Sequence, residues 1–166
     1  MRGPSETIEE SLGPASLECL RRTRSSVLNV LVGVGVVVAV SGLVLRGRTG
    51  GALEGAQKVL SQAMLMGLFG IFVVSTIVRR VLGRRSRLRD PRLRGWRFLV
   101  GHVVPAAIGA LAAPLGLVHG WLVSPGLEAI LPFWVVAVLL GIVAYPRGRE
   151  LEGFDQPMAP AGGPGS

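Results

Sequence analysis

The sequence predicts an all-α integral membrane protein, a four-helix bundle whose helices run antiparallel, up-down-up-down, with both termini cytoplasmic. Two observations carry the fold class. Of 166 residues, 49% are hydrophobic, and they are gathered into four blocks of about 20 residues, each long enough to cross a bilayer as a helix. Charged residues are crowded between the blocks, whereas a soluble domain of this size would interleave them with apolar residues.

The blocks define the predicted spans and the segments outside them. The four spans are residues 25–45, 59–78, 101–123 and 127–145. A polar cytoplasmic segment precedes them at residues 1–24, loosely held apart from a short helical turn over 17–24. An arginine-rich loop occupies 79–97, and composition predicts a disordered cytoplasmic tail over 146–166.

The distribution of Lys and Arg predicts the orientation. Fifteen of the 18 basic residues fall before the first block, between the second and third, or after the fourth, and only three fall on the other side. Loops rich in Lys and Arg stay in the cytoplasm, so both termini are expected there. We expect a multi-pass protein of a bacterial inner membrane or plasma membrane.

The third block, GHVVPAAIGALAAPLGLVHGWLV, separates into two faces on a helical wheel. Small residues on one face let neighbouring helices approach closely, and bulky residues on the opposite face suit lipid. Prolines within this block and the fourth are candidate kinks. The predicted packing residues are Gly109, Ala112, Gly116 and Gly120, the bulky residues are Val104, Ile108, Leu111, Leu115 and Val118, and the prolines are Pro105, Pro114 and Pro132.

Few polar residues lie inside the spans. Because a polar side chain in lipid costs free energy, each of them is a candidate functional residue. The only two histidines, His102 and His119, both lie in the third block, 17 residues apart. That spacing separates them by roughly 25 Å along a helix, so they mark two separate positions, one near each face of the membrane. Asn29 is expected near the inner face, and Gln62 and Glu128 near the outer face.

The third block therefore resembles the membrane subunits of b-type cytochromes, which hold haem between histidines near each face. The resemblance rests on His102 with Pro105 and Gly109, on the pair His119-Gly120, and on Ser41-Gly42 at the end of the first block. It implies haem b, with His119 paired to Met64 or Met66, or to a histidine from a symmetric partner. The alternative, which we favour, is that both histidines lie near the interface, half hydrated, and bond to neighbouring backbone, with no cofactor bound.

The arginine-rich loop carries nine arginines and one acid. Arginines beside a membrane favour anionic lipid headgroups, and they can also dock an acidic partner. Because clustered arginine is a topology signal in a membrane protein, the net charge of +8 does not indicate nucleic acid. The candidate contact residues are Arg79, Arg80, Arg84, Arg85, Arg87 and Arg89.

The sequence predicts no enzyme, since it contains no nucleophile–base pair, phosphate loop, acid pair or metal-ligand cluster. The single cysteine, Cys19, excludes an intramolecular disulfide. We expect a non-enzymatic accessory or structural subunit that packs with itself, as a homodimer, or with a larger membrane complex. A haem-binding electron-transfer subunit is the first alternative, and a small-solute transporter, dependent on Gln62 or Glu128, is the second.

Overall fold

A computed structural model describes residues 13–48, 50–51, 55–82 and 91–151. These residues form five α-helices and one short 3-10 helix, and none of them lies in a strand. The elements in chain order are α1 (Pro14–Leu45), α2 (Gln57–Leu82), α3 (Pro91–Ala110), α4 (Ala112–Leu122), α5 (Leu127–Ala144) and the 3-10 helix (Gly148–Leu151).

Four stretches of helix are long and apolar enough to cross a membrane. They are Pro14–Leu45, Gln57–Leu82, Leu93–Leu122 and Leu127–Ala144, and the third combines α3 and α4. The prediction of an all-helical chain with four candidate spans is therefore confirmed. Below, the third span means Leu93–Leu122.

The helices extend beyond the apolar blocks on the side that carries most of the arginines. The first begins at Pro14 rather than at residue 25, so part of the predicted polar segment is helical. On the N-terminal side of the apolar block, buried residues still recur at helical spacing, at Ser16, Leu20, Thr23 and Val27. Their burial explains why the helix begins before the apolar block. Likewise, α2 continues to Leu82, four residues beyond the predicted end of its span. Residues 83–90 of the predicted loop and 152–166 of the predicted tail lie outside the described residues.

The third span is interrupted at Leu111, between α3 and α4. A proline ring displaces the carbonyl group four residues earlier, and Pro114 stands four residues after Ala110, the last residue of α3. Leu111 N–H instead donates to the carbonyl oxygen of Ile108 at 3.2 Å, a tighter turn than that of an α-helix. Pro105 and Pro132 lie within continuous helices, so only one of the three candidate kinks divides its span.

The third span occupies the centre of the bundle, because α1, α2 and α5 all pack against it. Helices α1 and α2 lie on different sides of it and share no comparable contact of their own. A cluster of buried apolar residues joins all four spans at mid-depth, from Val34 in α1 to Met64 in α2 and Phe133 in α5, around Ala112 and Ala113.

Glycines of the third span touch the neighbouring helices directly. A Cβ atom on Gly109 would lie 2.6 Å from the Cβ of Leu140, and one on Gly116 would lie 2.8 Å from the Cβ of Phe133. At Gly120 it would meet the ends of the Leu45 and Ile130 side chains at 2.5 and 2.7 Å. Together with Ala112, which is fully buried, all four predicted packing residues lie at helix contacts.

We predict that Gly109→Ala and Gly116→Ala each lower the free energy of unfolding by about 1–3 kcal/mol, because a methyl group cannot enter either contact without displacing a helix. Gly70→Ala in α2 is the matched control, since nothing lies within 4 Å of its added methyl group. It should be neutral or slightly stabilising. Thermal unfolding in detergent, followed by circular dichroism, measures all three. Equal losses at Gly109 and Gly70 would contradict the packing described here.

Candidate functional site

His102 lies on α3 near the end of the bundle that carries most of the arginines, and only 6% of it is exposed. Its Nδ1 is 2.8 Å from the carbonyl oxygen of Phe98, one turn earlier on the same helix. Because a carbonyl oxygen can only accept, Nδ1 carries the hydrogen and donates it. The tautomer of His102 is thereby fixed at one nitrogen.

The other ring nitrogen of His102 faces Glu150, which lies on the 3-10 helix. Nε2 and Oε2 are 2.5 Å apart. Since Nδ1 already holds a hydrogen, this short bond needs a further proton, either on the ring or on the carboxyl group. His102 and Glu150 therefore form a hydrogen-bonded pair that joins α3 to the 3-10 helix.

Two further cations act on the same carboxylate. Arg79 of α2 places Nη2 3.8 Å from Oε1 of Glu150, and Arg147 stands three residues before Glu150. The hydrogen bond from His102, together with the charges of His102, Arg79 and Arg147, lowers the pKa of Glu150 although burial alone would raise it. The carboxylate is ionised in a positive environment built from three elements.

Apolar residues hold the 3-10 helix against the bundle. Pro146 and Leu151, on either side of Glu150, are almost fully buried. Within the segment predicted to be a disordered tail from residue 146 onward, Gly148–Leu151 form this 3-10 helix. Apolar burial at both ends and the pairing with His102 supply the contacts that composition does not reveal.

The predicted arginine contacts are divided between described and undescribed residues. Arg79 pairs with Glu150, and Arg80 is exposed. The structure does not describe Arg84, Arg85, Arg87 and Arg89, and their contacts stay a prediction. On α1, Arg24 lies 5.8 Å from the ring centre of Tyr145, which adds another basic side chain to this end of the bundle.

His119 occupies the opposite end of the third span and is 3% exposed. Its Nε2 lies 3.3 Å from the hydroxyl oxygen of Ser61 in α2, and its ring centre is 5.1 Å from that of Phe133. Nδ1 of His119 and Nε1 of Trp134 are both buried without a hydrogen-bond partner among the described residues. At this end Arg48 also lies 4.0 Å from the ring centre of Trp121, so aromatic contacts surround His119, in contrast to the ion pairs around His102.

The residues proposed for haem do not fit a porphyrin in this arrangement. Both nitrogens of His102 are engaged, with Phe98 and Glu150. Met64 belongs to the central apolar cluster, whereas Met66 points outward with 76% of it exposed. The small-residue face beside His119, which would have to make room for the ring, is filled by Phe133 and Ile130.

The remaining polar candidates lie on outward faces of the helices. Asn29, Gln62 and Glu128 are all exposed, and Glu128 sits in the first turn of α5, where a carboxylate is favourable for the helix dipole. Among the described residues, no group of three His, Cys, Asp or Glu side chains is placed to hold a metal ion. The thiol of Cys19 contacts the carbonyl oxygen of Gly95 at 3.7 Å.

Sequence reasoning missed the two side chains that partner the histidines, Glu150 and Ser61. Ser61 carried no signal, because an isolated serine near the start of a span is common. Glu150 carried a weak one, since it is the first acid after the fourth span, beside an apolar Leu151. An acid and an apolar residue directly after a membrane helix are compatible with a segment that folds back onto the bundle.

We predict that the Glu150 pair makes stability depend on acidity. Because the pKa of Glu150 is lower in the folded protein, its contribution is complete above the unfolded value of about 4.3 and is lost as the pH falls through the folded value. The loss should not exceed about 1 kcal/mol for so exposed a carboxylate. Melting temperatures from pH 7 to pH 3 should fall less steeply below pH 4.3 in Glu150→Gln than in the unmodified protein. Glu128→Gln, at the other end, should retain the original slope.

Comparison of the chain with known proteins adds no functional assignment. No protein-family model matches it, and no match is found among curated proteins or solved structures. The functional interpretation of this chain therefore depends on its own residues and their geometry.

Proposed function

We propose that this protein is a small multi-pass membrane protein with an accessory or structural role, which packs against a second copy of itself or against a partner in the membrane. One observation carries the proposal. Helix α1 carries three glycines that no neighbouring helix covers, since nothing lies within 4 Å of a Cβ atom added at Gly33, Gly35 or Gly42. Outward small residues allow another helix to approach closely in lipid.

A polar residue on the same helix supports an association through α1. Asn29 is exposed, one turn before Gly33 and on the same side of α1. An amide facing lipid is costly, and a hydrogen bond across a helix–helix contact offsets part of that cost. The packing glycines of the third span are already used within the chain, whereas nothing lies within 4 Å of a Cβ atom added at Gly33 of α1.

The proposed topology has adjacent spans antiparallel and both termini on the cytoplasmic side. Contacts support an antiparallel arrangement of α1 and α5. Leu31 lies beside Gly141, whereas Leu45, which comes later in α1, lies near Ile130, which comes earlier in α5; Leu45 and Ile130 meet at Gly120. The asymmetry of Lys and Arg supports the orientation. In this topology the cytoplasmic leaflet, with its anionic headgroups, meets the cluster around His102 and the arginine-rich loop.

The experiment measures self-association in detergent micelles and in the native membrane. We predict that Gly33→Ile and Asn29→Leu, combined, weaken association at least about tenfold, because they remove a close approach and a hydrogen bond on the same side of α1. Val74→Ile on the exposed face of α2 is the control and should not change it. Light scattering reports a homodimer, and quantitative recovery of co-purified membrane proteins reports a different partner. Association that is insensitive to the α1 changes would overturn the proposal.

The haem alternative is tested on the same preparation. We predict no Soret or α-band in the reduced-minus-oxidised absorption spectrum of protein made with ample haem, because both nitrogens of His102 are engaged and because Phe133 and Ile130 fill the small-residue face beside His119. A spectrum with both bands, lost in His119→Ala, would instead establish the electron-transfer function and show that the helices rearrange around the cofactor.

A further inference from the structure

The cluster around His102 has the composition of an anion-binding site. The nearly buried imidazole of His102 and the guanidinium group of Arg79 both face the Glu150 carboxylate. A second guanidinium group, that of Arg147, lies three residues before Glu150. Imidazolium and guanidinium groups are the donors that bind phosphate in proteins, and they bind carboxylate by the same charge-assisted hydrogen bonds. The chain thus supplies its own anion to these donors.

The cluster lies at the same end of the bundle as two aromatic residues. Trp96, six residues before His102 on α3, is 64% exposed, and Tyr145 lies beside Arg24 at the end of α5. Tryptophan and tyrosine rings with neighbouring arginines are typical of the membrane–water interface. In the proposed topology, the phosphate groups of cytoplasmic lipids would therefore meet this end of the bundle.

Access to the cluster is controlled by Glu150. The side chains of Arg79 and Glu150 are 30% and 36% exposed, so an approaching anion reaches the arginine only beside the carboxylate. A second negative charge there is repelled by the first. The carboxylate is carried by a segment that the buried residues Leu151 and Pro146 anchor, which keeps it beside Arg79 and His102.

We propose that His102 and Arg79 form a binding site for the phosphate group of an anionic ligand, and that Glu150 is a built-in competitor that keeps this site closed. The ligand chemistry is that of a phosphate anion, supplied either by an anionic lipid headgroup or by free phosphate. The inference uses the proposed position of the His102 cluster at headgroup depth, but it does not use the accessory role or the association through α1.

The test titrates the purified protein in dodecylmaltoside micelles at pH 7 with dioleoyl phosphatidylglycerol and follows the melting temperature. Glu150→Gln should bind this lipid at least about fivefold more tightly than the unmodified protein, because the competing charge is gone and the cations remain. Adding Arg79→Gln to that variant should abolish the gain. Leu151→Ala, which keeps the carboxylate but loosens its segment, should give a smaller gain in the same direction.

Matched variants and ligands separate this site from general attraction. Glu128→Gln removes an exposed carboxylate at the other end of the bundle, and Arg80→Gln removes an exposed neighbour of Arg79. In the Glu150→Gln background, Arg80→Gln should preserve the gain. Dioleoyl phosphatidylcholine, which has no net charge, should show no gain in any variant.

The outcomes decide both the proposal and the source of the phosphate. A gain with phosphatidylglycerol alone supports a lipid headgroup, and an equal gain with inorganic phosphate supports a free anion. If Glu150→Gln binds phosphatidylglycerol no better than Glu128→Gln does, the proposal is overturned. It is also overturned if phosphatidylcholine gives the same gain. Failure of self-association through α1 would leave these results unchanged, so the two proposals fail independently.

Discussion

The close contact between the third span and α5 is the interaction on which the rest of the bundle depends. In a bilayer, lipid tails are as apolar as the side chains, so burying a leucine against another helix gains little over leaving it in lipid. Helices then associate because their surfaces fit. Gly109 against Leu140 and Gly116 against Phe133 provide that fit at two levels, one helix turn or more apart. With this pair in place, α1 and α2 pack at its sides.

The placement of polar groups follows from the same constraint. Buried hydroxyl groups of α1, Thr23 and Ser41, donate to carbonyl oxygens four residues earlier, so that they satisfy themselves within their own helix. Ser75 donates across to the carbonyl oxygen of Pro105. Among the described residues, the charged side chains that form ion pairs lie at one end of the bundle, where water and headgroups lower the cost of charge.

The architecture was accessible from sequence because membrane spans are encoded locally. Bilayer thickness sets the length of an apolar block, and one helical wheel suffices to show the small-residue face that contains Gly109 and Gly116. The pairing of His102 with Glu150 was not accessible from sequence, because the two residues are 48 positions apart and their contact depends on where α5 ends. The start of α1 at Pro14 was also missed. Its first turns contain only isolated apolar residues, such as Leu20, among charged ones, so they do not resemble part of an apolar span. Local patterns thus determine the spans, while the charged cluster depends on the assembled bundle.

The position of Glu150 bears on how the protein is made. Ribosomes synthesise the chain from its N-terminus, so His102 and the glycine face of the third span enter the membrane before α5 exists. Until α5 and the residues just after it have emerged, Gly109 and Gly116 lack the surfaces that they fit, and His102 lacks its acid. The third span therefore completes its helix contacts and its ion pair only after α5 and the 3-10 helix have been made.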